Sequence, residues 1–121
     1  MEFRASHRYA RISSRKVRDV LRLIQGVRAD QALALLGGSQ NQRSGPVKTR
    51  AASFVSKVLE SAIANARDHG DVDGDDVFVT EVRAEDAPTK HLQRLRARAR
   101  GMGYTVRRGA SHIHVVLATY E

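Results

Sequence analysis

Hydrophobic and polar positions along this chain recur with two periods, and each change of period marks an element. From Glu2 to Ile12, Phe3, Ala5, His7 and Tyr9 alternate with Arg4, Ser6 and Arg8. That period of two predicts a strand with one buried face. Val17, Val20, Leu21 and Ile24 then follow at helical spacing, with Arg15, Lys16, Arg18 and Arg22 on the opposite face. Ser13 or Ser14 is the expected N-cap and Gly26 the stop. Asp30 is the expected cap of a short second helix carrying Ala32, Leu33, Leu35 and Leu36, closed by Gly37-Gly38. Residues Gly37 to Gly45 read as a polar loop. Ser44 to Pro46 opens the longest helix, since proline is tolerated in a first turn that lacks N–H partners. Its stripe is Val47, Ala51, Phe54, Val55, Val58, Leu59, Ala62, Ile63 and Ala66, and Gly70 ends it. The stripe predicts a core helix, with Phe54 inside the core.

Beyond an acidic turn at Asp71 to Asp76, two β-rich segments follow, Val77 to Ala84 and Ile113 to Ala118. Between them lie residues 88–112, which contain no acid and few apolar side chains. Gly101 and Gly103 sit near the midpoint, so the economical solution is a long antiparallel hairpin. An uninterrupted arm from Pro88 to Gly101 would reach roughly 40 Å, against a radius of about 14 Å for a globule of this size. Such an arm must protrude, and a two-stranded ribbon is marginal in water by itself. The expected fold is α+β: a small antiparallel sheet on about three helices, with a long protruding β-hairpin at 88–112. A length of 121 residues suits one domain over 1–121.

Charge sharpens this picture. The formal net charge is +8, and it is clustered. Residues 1–22 hold seven basic against two acidic residues, residues 23–86 seven against ten, and residues 87–121 seven against one. Two cationic blocks around a mildly acidic middle repel themselves unless a polyanion neutralises them, which points to nucleic acid. A membrane surface would need an apolar face beside the charge, and the C-terminal cluster has little of one. No apolar run approaches the ~20 residues of a membrane span, and no apolar stretch follows Met1 as in a secretory leader. An Arg- and Ser-rich start also fits an organelle transit peptide, but it continues into a core helix. The absence of Cys excludes disulfides, Cys-based zinc sites and a thiol nucleophile.

Arg94, Arg96, Arg98 and Arg100 are the most specific feature. A spacing of two on a strand points all four to one face, about 6.6 Å apart, on the scale of phosphate spacing. Arg107 and Arg108 return on the facing arm, and Lys90 lies at its base. Guanidinium groups bind phosphates bidentately and stack on bases, which suits folded RNA. Gly101-Met102-Gly103 permits a tight reversal or a close approach to a ligand. Arg11, Ser13, Arg15, Lys16 and Arg18 form a second candidate RNA-facing patch. Competing motifs are weaker. Residues 13–36 also read as a helix–turn–helix, but the second helix offers few side chains for base edges. Asp71, Asp73 and Asp75 start like a calcium loop that lacks its glycine and closing glutamate, so a solvated turn is expected. His112 and His114 lack a third ligand, and His112 is expected to hydrogen-bond at the hairpin base. No metal, cofactor or catalytic residue is expected.

Three segments resemble one family. Arg11-Ile12-Ser13-Ser14-Arg15-Lys16-Val17-Arg18, Leu59-Glu60-Ser61-Ala62-Ile63-Ala64-Asn65-Ala66, and Pro88-Thr89 followed by the basic hairpin and Ser111-His112-Ile113 are similar, in that order, to bacterial-type large-subunit ribosomal protein number twenty-two. There are departures. Ser14 stands where proline is usual, Ala97 where a proline often precedes the tip, and Gly109-Ala110 where a basic segment is usual. The resemblance implies a structural ribosomal RNA-binding protein without catalytic activity. It implies a globular part near the tunnel exit and a hairpin lining the nascent-polypeptide tunnel. It also implies neighbours that include ribosomal protein number four, a role in subunit assembly, and a part in the macrolide response. No membrane or small-molecule substrate is implied, and the ribosome would be cytoplasmic, with that of an organelle as the alternative.

Overall fold

The structure is a computed structural model that describes residues 1–37 and 50–120. Its elements are β1 (Glu2–Ala10), α1 (Ser14–Ile24), α2 (Ala29–Leu36), α3 (Arg50–Gly70), β2 (Val77–Asp86), β3 (Arg94–Ala97), β4 (Gly103–Val106) and β5 (Ser111–Thr119). Single 3₁₀ turns occupy Lys90–Leu92 and Ala99–Gly101. The fold is α+β; among the described residues, three helices lie on a three-stranded antiparallel sheet of order β1-β5-β2, with a separate two-stranded β3-β4 ribbon.

The last strand is the central one. Ser111, Ile113, Val115 and Leu117 of β5 are buried under the helices, alternating with half-buried His112, His114, Val116 and Ala118. α3 lies across β1 and β5, and α1 packs on β2 and α3. The α3 stripe is as expected from Ala51 to Ala66, except at Phe54, which is only half-buried. The Phe54 ring sits 5.8 Å from that of His7, and the Arg50 guanidinium lies 5.6 Å from its centroid. Ala52, Ser53 and Ser56 are buried instead. The buried Ser56 hydroxyl donates to the Ala52 carbonyl at 2.8 Å, which satisfies it within the helix. The expected helix start at Ser44 to Pro46, the polar loop beyond Gly37 and Gly38 itself lie outside the described residues.

Helix ends differ from expectation in one place. α2 begins two residues earlier, with Arg28 as N-cap, so Asp30 sits in the first turn. Gly37 closes α2 in the left-handed conformation, φ 79, where a Cβ would be strained. At the far end of α3, a Cβ on Gly70 would lie 2.8 Å from Cζ of Phe3, so any other residue there would displace the buried Phe3 ring. Asp71 follows with φ 51. In the acidic turn, Arg67 pairs with Asp73 at 3.2 Å. Hydrogen bonding to Asp30 holds the Asp75 carboxyl above its ordinary range. Burial pushes Asp30 up, but the bond with Asp75, the Gln31 amide and the Arg28 guanidinium outweigh it and hold Asp30 low.

Two irregularities redirect the strands. β2 inserts Thr80 between the pairs Val79↔Leu117 and Glu81↔Val116. The inward set therefore switches from Val77 and Val79 to Val82 and Ala84, as one extra residue in a ladder requires. In β1 the register shifts between His7 and Ala10, so Tyr9 leaves the inward set and Ala10 is buried.

The hairpin is not one continuous ribbon. The main ladder runs to Asp86↔Ser111, and the Ala87 amide adds one bond to the Ala110 carbonyl at 3.0 Å. Pro88 has no N–H for the next rung. The chain then turns on itself, with the Leu92 amide donating to the Thr89 carbonyl at 2.9 Å. Pairing resumes only from Arg94↔Val106 to Ala97↔Gly103, about 13 Å of ribbon.

Leu59 is fully buried, so Leu59→Ala should cost about 2–5 kcal/mol of stability. Phe54→Ala should cost less than Leu59→Ala, because its ring is half in solvent. Urea midpoints of the two variants check this order; equal losses would place Phe54 in the core.

Candidate nucleic-acid interface

The interface is assembled by β5. Its pairing with β1 brings residues 108–112 alongside residues 9–13: Ala10 pairs with Ser111, and a Cβ on Gly109 would come within 3.2 Å of Cβ of Ser13. The hairpin's return arm thus crosses the start of α1. A cleft of about 590 Å³ opens there, lined by Arg11, Ser13, Lys16, Asp19, Arg50, Arg108 and Gly109 with Ile12, Val20 and Ala51 beneath. Four cations face one carboxylate, and Asp19 lies 3.9 Å from Arg22. Ser13 occupies the N-cap position with extended backbone but makes no side-chain cap bond. The first turn of α1 contains no acid, so the partial positive charge of the helix N-terminus adds to the cleft's field. Ser14 is turned away: its buried hydroxyl donates to the Asp86 carboxylate, which fastens the start of α1 to the end of β2.

The structure therefore joins two patches that are far apart in sequence. Arg11, Ser13 and Lys16 share a cleft with Arg108, while Arg15 is exposed on the same helix. Arg50 is the residue that sequence reasoning missed. It carries no local pattern; only the packing of α3 brings it to α1. Arg18 also has an internal partner. Its Nε and Nη2 both donate to the Ala84 carbonyl, at 3.2 and 3.0 Å, closing the free edge of β2.

On the ribbon, the period of two holds for Arg94 and Arg96, which share a face with Tyr104 and Val106. Leu95, Ala97, Gly103 and Thr105 make the other, uncharged face. Arg98 continues the cationic face diagonally, its guanidinium 4.1 Å from the Tyr104 centroid. Arg100 departs from the expected ladder because the strand has ended. Arg100 and Gly101 turn the chain with φ 61 and 70, and the Arg98 amide donates to the Met102 carbonyl at 2.6 Å. A Cβ on Gly103 would meet the Arg96 carbonyl and the Leu95 side chain at 3.4 Å, an ordinary contact, so no close approach demands glycine there. Met102 is 69% exposed at the tip. Arg107 is exposed beyond β4, and Lys90 lies in the 3₁₀ turn at the base.

Ion pairing divides the basic residues. Among the described residues, ion pairs form at Arg4, Arg22, Arg28, Arg67 and Arg83, each with a nearby carboxylate. None of Arg11, Arg15, Lys16, Arg94, Arg96, Arg98, Arg100, Arg107 or Arg108 has such a partner among them. The His pair does not converge on a common ligand. His112 Nδ1 accepts from the Tyr9 amide at 3.0 Å, the bond expected at the hairpin base, while His114 faces Glu85 at 3.7 Å. Among the described residues no group of three or more His, Asp or Glu gathers as metal ligands, and no helix is long and apolar enough to cross a membrane.

Arg18→Ala should lower stability by about 1 kcal/mol, the scale of a net hydrogen bond, and should affect RNA binding less than Arg108→Ala does. Chemical denaturation together with RNA titration of both variants checks this. An unchanged midpoint with lost binding would place Arg18 on the ligand instead.

Comparison with known proteins places this geometry. The family described as ribosomal protein L22p/L17e matches residues 5–118. Full-length similarity runs to proteins named large ribosomal subunit protein uL22. That of Thermoanaerobacter sp. (strain X514) is 42% identical over 121 residues, covering 100% of both chains. That of Akkermansia muciniphila is 38% identical over 121 residues, covering 100% of this chain and 99% of its own. That of Halothermothrix orenii is 39% identical over 118 residues, covering 98% and 96%.

Proposed function

Since the chain belongs to the ribosomal protein L22p/L17e family, a family of structural large-subunit proteins and not of enzymes, we propose that it binds large-subunit ribosomal RNA through two joined surfaces. One is the cleft at the start of α1, with Arg11, Lys16, Arg50 and Arg108. The other is the cationic face of the ribbon, with Arg94, Arg96 and Arg98, continued by Arg100 and Arg107. Chain 1–121 acts as one domain that anchors residues 88–112. The single observation that carries this reading is the set of exposed cations that have no carboxylate partner among the described residues. Like charges so close together are tolerated because phosphates and released counterions stabilise them in the complex.

The ribbon reaches RNA segments away from the globular part, and its Leu95–Thr105 face is free of charge for a different neighbour. We place the globular part at the subunit surface near the tunnel exit of a cytoplasmic ribosome. The ribbon lies along the nascent-polypeptide tunnel beside ribosomal protein number four, with a role in subunit assembly and in tunnel width at Met102. RNA orders the ribbon on binding, because β3 and β4 bury almost nothing of their own.

Two outcomes are expected. Affinity for protein-free large-subunit ribosomal RNA should fall steeply with salt, and replacing Arg94, Arg96, Arg98 and Arg100 by Gln should flatten the log–log slope by roughly 3–4. Filter binding between about 50 and 200 mM salt measures it; a flat response of the unaltered protein would overturn the phosphate reading. In the free protein, amide order parameters of residues 94–106 should fall below those of α3 and rise on binding RNA. A free ribbon as rigid as α3 would contradict coupled ordering.

A further inference from the structure

Tyr9 is not needed by the fold in the way its strand neighbours are, yet the fold holds it in place. It has φ 58, a conformation that costs a bulky residue energy and that a glycine would adopt freely. It occupies the register shift of β1, so its side chain has left the buried face and is 48% exposed. One backbone bond and three ring contacts hold it where it is. Its own amide donates to His112 Nδ1 at 3.0 Å. The His112 ring meets it edge-on at 4.8 Å, and the His91 ring does so at 6.1 Å. The Arg8 guanidinium stands 5.9 Å from its centroid. Strain retained around an exposed, positioned aromatic marks a contact with something outside the chain.

The surroundings say what that something is. Exposed Arg8 and Arg11 flank Tyr9 in sequence, and exposed Lys90 adjoins His91. An aromatic platform ringed by cations and imidazoles is the arrangement that takes an unpaired nucleobase, with the ring under the base and the cations on its phosphates. We propose that Tyr9 is a stacking platform for an unpaired base of the bound RNA, beside the α1 cleft and distinct from its phosphate contacts. This rests on the RNA-binding reading above.

Stacking and charge neutralisation differ in their salt dependence, which makes the proposal testable. Tyr9→Gly removes the ring, relieves the positive φ and keeps the amide that donates to His112; Tyr9→Phe keeps the ring. With protein-free large-subunit ribosomal RNA as the probe, Tyr9→Gly should weaken binding roughly 5- to 150-fold with an unchanged salt slope, and Tyr9→Phe should bind like the unaltered protein. Thermal unfolding checks that Tyr9→Gly stays folded, and Tyr9→Asn, which also tolerates left-handed backbone, is read in the same way if it does not. Unaltered affinity of Tyr9→Gly, with the steep salt response intact, would overturn the platform and leave the RNA reading standing. Absence of salt-dependent binding by the unaltered protein would overturn both.

Discussion

The pairing of β1 with β5 is the constraint on which the other features depend. Ile113, Val115 and Leu117 are completely buried, and the only place that removes them from water is the centre of the sheet, beneath α3. Full burial of such a side chain is worth roughly 1.5–3 kcal/mol, so the register of β5 is strongly determined. A slip of one residue would put His112, His114 and Val116 in the core instead. Once that register is set, the segment before β5 must run beside the end of β1. Gly109 meets Ser13, Arg108 meets Lys16 across the cleft, and His112 meets Tyr9. The candidate interface is thus a by-product of burying an aliphatic strand.

The distribution of carboxylates completes the argument. Of the acidic residues in the middle of the chain, Glu81 and Glu85 on the exposed sheet face pair with Arg83, and Asp73 in the turn at 71–76 pairs with Arg67. Those ion pairs are exposed and contribute little to stability. Their effect is to leave the outer sheet face nearly balanced while the cleft and ribbon keep their charge. A polyanion approaching the molecule meets its attractive field on one set of elements, the start of α1 and the hairpin that crosses it.

Irregular backbone has a comparable part. Thr80 and Tyr9 each mark a break in a ladder, on opposite edge strands. At Thr80 the break keeps both halves of β2 facing the core. At Tyr9 it does the reverse, turning an aromatic outward at the base of the hairpin. Pro88 ends the main ladder and Arg100-Gly101 reverses the ribbon, so the hairpin's shape is set by a missing donor and two left-handed residues.

What the sequence determined by itself is everything encoded between near neighbours: the helical stripe of α3, the alternation of β5, the helix-ending Gly37, the clustering of charge, and the acid-free hairpin with its paired Arg94 and Arg96. Periodicity of two or 3.6 residues carries that information directly. Only the tertiary structure decided which cations meet. Arg50 joins Arg11 and Arg108, Arg18 goes to the Ala84 carbonyl, Ser14 finds Asp86, and Phe54 is left half in solvent. These outcomes depend on strand register and helix packing between residues 40 to 100 positions apart. A single inserted residue, such as Thr80, reverses the facing of everything after it, and no local pattern shows where that insertion falls until the partner strand is in place.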